Sequence, residues 1–226
     1  LLPRLKEVWI TKKDEVLKSA NEIAYSLTKQ NLISEGTEID KTVLDKAYNE
    51  LSKRYDETNG GFGNAPKFPS PHNLMFLLRY WKRKNEPKAL EMVEKTLIEM
   101  RRGGIYDHIG FGFARYSTDQ HWLVPHFEKM LYDNALLLNI LCDAYQITKQ
   151  KKYERAIREI IDFAVRELSD AAGGFYAALD ADSEGEEGKF YVWSKAEIQQ
   201  IIGSDADVFC EFYDVTDKGN WEGKNI

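Results

Sequence analysis

Apolar residues recur at helical spacing along most of the chain. One segment carries them at Val43, Leu44, Ala47, Leu51 and Tyr55, and segments 89–100 and 153–168 show the same spacing. This period matches one face of an α-helix. The pattern therefore predicts helices near 6–30, 40–57, 71–84, 87–101, 126–148, 151–169, 194–202 and 205–213.

Two of these segments differ in their polar positions. Segment 153–168 mixes apolar residues with charged ones, so one of its faces should be exposed to solvent. Segment 130–144 is apolar almost all round, which predicts burial on every side. Inner buried helices paired with outer amphipathic ones predict a double-layered helical barrel. We expect one all-α domain over residues 1–226.

A glycine pair followed by an apolar residue occurs three times, at 60–62, 103–105 and 173–175. Each pair follows a predicted helix, where a glycine can take the left-handed conformation that ends a helix. The predicted unit is therefore a helix, a Gly-Gly turn, a loop and another helix. The aromatic and apolar runs 175–179 and 190–193 predict a small β-hairpin after the third pair.

Composition narrows the range of partners. The chain has 226 residues, of which 31 are Lys or Arg and 37 are Asp or Glu, for a net charge of −6. This sign disfavours nucleic acids and anionic membrane surfaces, and no apolar run approaches the roughly 18 residues that a membrane span needs. Cys142 and Cys210 lie far apart and form no C-x-x-C motif. They fit a reducing compartment, and we expect the cytoplasm.

Ionisable residues are densest between Gly103 and Asp133, where three of the four histidines occur. If residues 126–133 are helical, His126, Lys129 and Asp133 form one polar stripe on an otherwise apolar helix. Polar groups on a buried helix must be paired or face a cavity. The stripe predicts either an internal Lys129–Asp133 pair or, as we prefer, the wall of a pocket with His126 as acid or base.

The metal alternatives are weaker. The histidines lack zinc-binding spacing and neither cysteine is near them, so no metal or cofactor is predicted there. The acidic segment 180–188 begins like a calcium loop, but Tyr191 stands where the bidentate glutamate should be. This segment is a solvated charge run, a calcium loop or the rim of a pocket.

Aromatic residues are concentrated in the same segments, and aromatic rings beside carboxylates suit sugars. We expect a carbohydrate-active site with His126 as the proton-transfer residue and Asp107 or Asp182 as its carboxylate partner. The candidate substrate-binding residues are Lys67, Tyr106, His108, Arg115, Trp122, Glu128, Tyr132, Asp133, Asp180 and Glu184.

Several motifs together resemble one known family. They are Gly60-Gly61-Phe62-Gly63 with Pro66-Lys67-Phe68-Pro69, the run from Gly103 to His108, the string from Pro125 to Asp133, and the run from Asp180 to Trp193. The chain resembles the thioredoxin-domain-containing family to which animal spermatogenesis-associated proteins belong. The resemblance implies an (α/α)6 barrel similar to those of N-acylglucosamine 2-epimerases and six-hairpin glycosidases. It also implies a thioredoxin-like domain covalently linked before the barrel.

Compared with a full barrel of this family, the chain is expected to be incomplete and to expose apolar flanks. We therefore predict that it self-associates. At Phe111 and Ala114 the family usually carries a glycine and a histidine, and this departure favours a second hypothesis. The alternative to a sugar epimerase or glycosidase is a non-catalytic binding or scaffold module that serves the thioredoxin-like domain.

Overall fold

The computed structural model of the chain describes residues 2–30 and 40–226 and is mostly helical. These residues form two compact units, one up to Val43 and the other from Leu44 to Ile226. In the first unit, α1 (Leu2–Thr11) and α2 (Lys13–Gln30) are separated at Lys12, where the sequence predicted one continuous helix. No residue of α1 is buried, and Trp9 and Tyr25 are among the exposed apolar side chains of this unit.

The second unit carries the rest of the fold. It holds all but the first two residues of α3 (Thr42–Arg54). Its other helices are α4 (Pro71–Lys84), α5 (Pro87–Arg102), α6 (Leu131–Thr148), α7 (Lys151–Glu167), α8 (Lys195–Ile202) and α9 (Ala206–Phe212). Helix α4 packs on α5 and α6, and α6 packs on α7.

Local chemistry explains the helix limits that the sequence predicted well. Pro71 and Pro87 stand in the first turns of α4 and α5, where a missing N–H costs nothing. Asn85 ends α4 in the left-handed conformation. Ser194 and Glu197 form a capping box at the start of α8.

The strands are short and do not pair as predicted. Strand β1 (Lys129–Met130) pairs with β2 (Ala178–Leu179), and β3 (Asp182–Ser183) pairs with β4 (Glu186–Glu187), both antiparallel. A small hairpin is therefore present, but it is built from the acidic segment. The predicted pairing of 175–179 with 190–193 is wrong, because Ala178 and Leu179 are taken by the segment before α6.

The prediction for α6 needs two corrections. The helix begins at Leu131, because Lys129 and Met130 pair with β2 and Phe127 takes a positive φ of 60°. It is also not buried on every side. Asn134, Leu137, Ile140, Leu141 and Ala144 are buried, whereas Leu136 is 37% exposed.

One main core holds the second unit together. It runs from Tyr55 to Ile160 and includes fully buried Leu74, Met92, Met100 and Leu137. A smaller cluster of Ile198, Cys210 and Val215 packs α8 against α9. Among the described residues, no helix combines the length and apolar character needed to cross a bilayer.

Candidate functional site

Three loops of the second unit share one hydrogen-bonding pattern, and we call them loop 1 (55–62), loop 2 (106–113) and loop 3 (169–175). Each contains an aspartate, Asp56, Asp107 or Asp170, whose Oδ1 accepts the N–H of the residue two positions later at 2.8–2.9 Å. The aspartate's own N–H donates to the carbonyl of Gly61, Gly112 or Gly174 at 3.0–3.1 Å. The loops are therefore structural repeats built on Asx turns.

This repeat corrects the one predicted from glycine pairs. Gly103 caps α5 with an extended φ of −79°, so it is not the left-handed helix end that we expected. Its place is instead fixed by close approach, since an added Cβ would lie 2.4 Å from the Trp122 carbonyl oxygen. Gly112, with φ of 81°, is the residue of loop 2 that corresponds to Gly61 and Gly174.

Loops 1 and 2 are each closed by a buried lysine. Lys67 Nζ lies 2.7 Å from Asp56 Oδ2 and donates to the Gln120 carbonyl at 3.1 Å. Lys129 Nζ lies 2.7 Å from Asp107 Oδ2 and donates to the Phe111 carbonyl at 2.8 Å. The same two ammonium groups lie near aromatic rings. Lys67 Nζ is 5.0 Å from the Trp122 ring centroid, and Lys129 Nζ is 4.9 Å from those of Phe163 and Tyr191.

These contacts set the charge of the two aspartates. Burial opposes the ionisation of Asp107, but the Lys129 charge and the N–H groups of Gly110 and Ile109 outweigh it and hold the pKa of Asp107 below its usual value. The pKa of Asp56 is lowered in the same way by Lys67 and Asn59 against burial. Asp107 is thus a partner of Lys129, and its hydrogen bonds do not include His126.

Tyr106 and His108 belong to a second buried network. The Tyr106 hydroxyl donates to Glu159 Oε2 at 2.7 Å, and Arg101 lies over the Tyr106 ring and pairs with the same carboxylate at 2.8 Å. Burial and the Glu159 bond raise the pKa of Tyr106. Arg101 also donates to His108 Nδ1, and burial followed by the Arg101 charge lowers the pKa of His108, so the imidazole is neutral. These two candidates therefore support the fold between α5 and α7.

His126 lies in a partly exposed cluster. Its ring stacks on Tyr116 with centroids 4.7 Å apart and planes at 15°, and Tyr116 in turn contacts Phe68 at 4.8 Å. His126 Nδ1 is 2.9 Å from Glu187 Oε1, and the two side chains are 31% and 48% exposed. Three rings and a carboxylate therefore form a row, which we call the aromatic row: Phe68, Tyr116, His126 and Glu187.

Arg115, Glu128, Tyr132 and Asp133 form a neighbouring group. Arg115 Nη1 lies 3.0 Å from Glu128 Oε2, and Tyr132 is 48% exposed. Asp133 Oδ2 is buried without a hydrogen-bond partner. Burial raises the pKa of Asp133 to about 6, although the Arg115 charge acts in the other direction. This carboxyl can therefore hold or release a proton near neutral pH.

The remaining acidic candidates lie on the hairpin. Asp182 is the register partner of Glu187. It therefore lies beside the carboxylate that contacts His126. Asp180 accepts the Asp182 N–H at 3.1 Å, and Glu184 pairs with Lys189. In residues 2–30 and 40–226, no three His, Cys, Asp or Glu side chains meet as a metal site.

Strained backbone is concentrated in the same segment. Phe111, Trp122 and Phe127 have φ of 68°, 66° and 60°, a region that large side chains seldom adopt. Trp122 is fully buried, and its Nε1 donates to the Asn59 carbonyl at 2.9 Å. Strain of this kind is often retained at functional sites, so it supports a site at the loops before α6.

Sequence reasoning missed Glu187 as the partner of His126. The residue stood in the acidic segment with four others of the same charge, and spacing along the chain did not separate them. It also missed the repeat of Asp56, Asp107 and Asp170, whose signal was an aspartate four or five residues before a glycine and an aromatic residue.

Comparison with known proteins gives a consistent picture. No model of a known protein family matches the chain. The chain is 40% identical over 216 residues to spermatogenesis-associated protein 20 of Homo sapiens, covering 89% of this chain and 28% of that protein, and 38% identical to the Rattus norvegicus protein over the same length. These proteins are homologues of the chain, and the resemblance of its motifs to spermatogenesis-associated proteins is confirmed. The chain spans little more than a quarter of their length.

Solved structures of sugar enzymes share the fold. Cellobiose 2-epimerase from Spirochaeta thermophila DSM 6192 has a TM-score of 0.51 at 19% identity, covering 62% of this chain and 40% of that one. Cellobiose 2-epimerase from Bacillus thermoamylovorans B4167 has a TM-score of 0.52 at 13% identity, covering 66% of this chain and 43% of that one. An unsaturated glucuronyl hydrolase specific for heparin has a TM-score of 0.51 at 17% identity, covering 62% of this chain and 42% of that one. The predicted all-α fold of the (α/α)6-barrel type is confirmed.

Proposed function

We propose that this homologue of spermatogenesis-associated protein 20 is a carbohydrate-active domain, acting on a sugar as an epimerase or glycosidase does. The likeness to cellobiose 2-epimerases is one of fold, and folds host many functions. It therefore supports the class of ligand only. The choice of residues rests on the geometry of the site.

The observation that carries the proposal is the aromatic row. A sugar ring has apolar faces and hydrogen-bonding edges, so it can stack on Phe68, which is 45% exposed, while its hydroxyls reach polar groups. His126 ends the stacked rings, and its Nδ1 is 2.9 Å from Glu187. An imidazole held by a carboxylate, beside a stacking surface and open to solvent, is suited to proton transfer on a bound sugar.

Each residue then has a role that follows from its contacts. His126 moves the proton, and Glu187 orients its ring and stabilises the imidazolium that forms. Asp182 is the register partner of Glu187 in the hairpin and lies beside that carboxylate. Tyr132 is exposed and Arg115 is partly exposed, so both can anchor hydroxyls. Asp107 acts through Lys129, three residues from His126, as a positioning residue.

The test is a comparison of three variants on a panel of reducing disaccharides and aryl glycosides. In D2O, an epimerase that removes the proton next to the sugar carbonyl exchanges it for deuterium, and a glycosidase releases the free aryl alcohol. We expect His126→Ala and Glu187→Gln to lower either activity at least tenfold. His72→Ala, at an exposed position in the first turn of α4, should leave it unchanged. If the parent protein neither binds nor converts any member of the panel, the proposal is wrong.

A second candidate is a binding module that accompanies a thioredoxin-like domain. It is favoured by the internal pairing of Lys67, Asp107 and Lys129, which are used to hold loops. Under this alternative, the aromatic row contacts protein. Crosslinking to a separately expressed thioredoxin-like domain, lost in Tyr116→Ala and unaffected by sugars, would support it.

A further inference from the structure

Loop 3 is built like loops 1 and 2 but is not covered as they are. In all three, the aspartate N–H donates to the carbonyl of a glycine with positive φ. In loops 1 and 2 the free carboxylate oxygen binds a buried lysine. In loop 3 the corresponding oxygen, Asp170 Oδ2, accepts the hydroxyl of its neighbour Tyr176.

The glycines show the same difference. An added Cβ on Gly61 would lie 2.5 Å from the Trp122 ring, and one on Gly112 would lie 2.6 Å from the Phe163 ring. These rings come from later parts of the chain and close the loops. Around Gly173 and Gly174, no described atom lies within 4 Å of the same position.

The surface of loop 3 is also apolar where the others are buried. Phe175, the last residue of loop 3, is 56% exposed, and Tyr176 after it is 53% exposed. The residues that correspond to Phe175 in loops 1 and 2 are Phe62 and Phe113, which are only 7% and 1% exposed. An exposed aromatic pair beside an acceptor for an ammonium group is a surface that lacks its cover.

We infer that loop 3 is the docking surface for a polypeptide segment that brings a lysine to Asp170 and an aromatic ring onto Gly174. The occupant is specified by the chain itself, because Lys67 with Trp122 and Lys129 with Phe163 occupy the two equivalent places. The carboxylate of Asp170 supplies the complementary charge. The source is the remainder of the longer polypeptide that the relatives carry, since the chain spans 28% of the human protein.

Docking exchanges one hydrogen bond for a stronger one. The Tyr176 hydroxyl leaves Asp170 Oδ2, and an ammonium group takes its place with a charge-assisted bond. The incoming ring covers Phe175 and the glycine backbone, so water leaves both. The segment thus repeats at loop 3 the contacts that already close loops 1 and 2.

The experiment uses overlapping synthetic peptides that tile human spermatogenesis-associated protein 20 outside the 216 matched residues. Binding of the labelled chain to each peptide is measured, and the best peptide is titrated while the amide signals of Gly173 and Gly174 are followed by NMR. We expect the binding peptides to contain both a lysine and an aromatic residue. We also expect the two glycine signals to shift.

The matched variants are Asp170→Asn and Asp162→Asn. In Asp170→Asn the new amide oxygen can still accept the Ala172 N–H, so the turn is kept, while the negative charge and the second acceptor oxygen are lost. Asp162 is an exposed residue of α7 and controls for net charge. We expect Asp170→Asn to weaken binding about tenfold or more and Asp162→Asn to leave it unchanged. Absence of binding to every peptide, or equal binding by Asp170→Asn, overturns the inference without touching the sugar proposal.

Discussion

Lys129 and Asp107 form an ion pair inside the protein, with 2.7 Å between Nζ and Oδ2 and side chains only 5% and 18% exposed. The pair joins loop 2 to the segment that leads into α6. Lys67 and Asp56 repeat it at loop 1 with the same distance. Asp107, Lys129 and Lys67, which the sequence suggests as site residues, are thus used to hold loops 1 and 2 in place.

The first prediction concerns this pair. Lys129→Met leaves Asp107 buried without its counter-charge, and Asp107→Asn leaves the ammonium group in the same condition. We expect each to lower the free energy of unfolding by about 3–5 kcal/mol. The double variant should lose less than the sum of the two. Urea denaturation measures all three. The exposed pair of Lys53 and Glu50 gives the control, since Glu50→Gln should cost less than about 1 kcal/mol.

The second prediction concerns Asp133, whose pKa is raised to about 6 by burial. An acid with a folded-state pKa above its unfolded value of about 3.9 destabilises the fold once it ionises. This penalty is complete above pH 6 and is relieved as the pH falls toward 4. Asp133→Asn should therefore raise the free energy of unfolding at pH 7 by about 1–3 kcal/mol, and the gain should vanish near pH 4.

The measurement is denaturation of the parent and Asp133→Asn at a series of pH values between 4 and 8. Asp162→Asn, at an exposed position of α7, should show no such difference across the range. A gain for Asp133→Asn that is constant with pH would contradict the assignment of the raised pKa.

The third prediction separates crowding from backbone strain at the repeated glycines. Gly112→Ala places a methyl group 2.6 Å from Phe163 at a φ of 81°, whereas Gly173→Ala has a similar φ of 88° and open space. We expect the second to cost about 1–2 kcal/mol from strain alone. Gly112→Ala should cost clearly more, because a buried ring must also move. Equal losses in thermal unfolding would mean that Phe163 gives way freely.

The sequence predicted helix limits correctly where residues at the helix ends determine them. Pro71 and Pro87 start their helices and Asn85 ends one, so α4 and α5 were predicted within a residue. Sequence reasoning did not work where distant residues decide the backbone. Residues 126–130 have a helical pattern. However, Lys129 forms an ion pair with Asp107, and β1 pairs with β2, so the helix begins only at Leu131.

The candidate site was predicted as a region more than as a set of contacts. His126 and the acidic segment were expected near each other, and the hairpin does bring Glu187 to His126. Which carboxylate makes the contact depends on the register of β3 and β4, a choice between alternating faces that charge alone does not encode. Tyr106 and His108 looked like binding residues because burial by α7 is not visible in their own segment.

The last prediction tests the stacking surface of the proposed sugar site. Tyr116 lies between Phe68 and His126, with centroids 4.8 Å and 4.7 Å away, so its removal breaks the aromatic row at its centre. Tyr116→Ala should weaken sugar binding, measured by calorimetry, by at least tenfold, because Phe68 and His126 both lose the ring that holds them in place beside the sugar. Tyr116→Phe keeps the ring and should retain most of the affinity. Phe212→Ala removes an aromatic side chain that is 79% exposed in α9, and it should leave binding unchanged. If Tyr116→Ala and Phe212→Ala bind the sugar equally well, the sugar does not bind at the aromatic row. The assignment of His126 as the proton-transfer residue is then wrong.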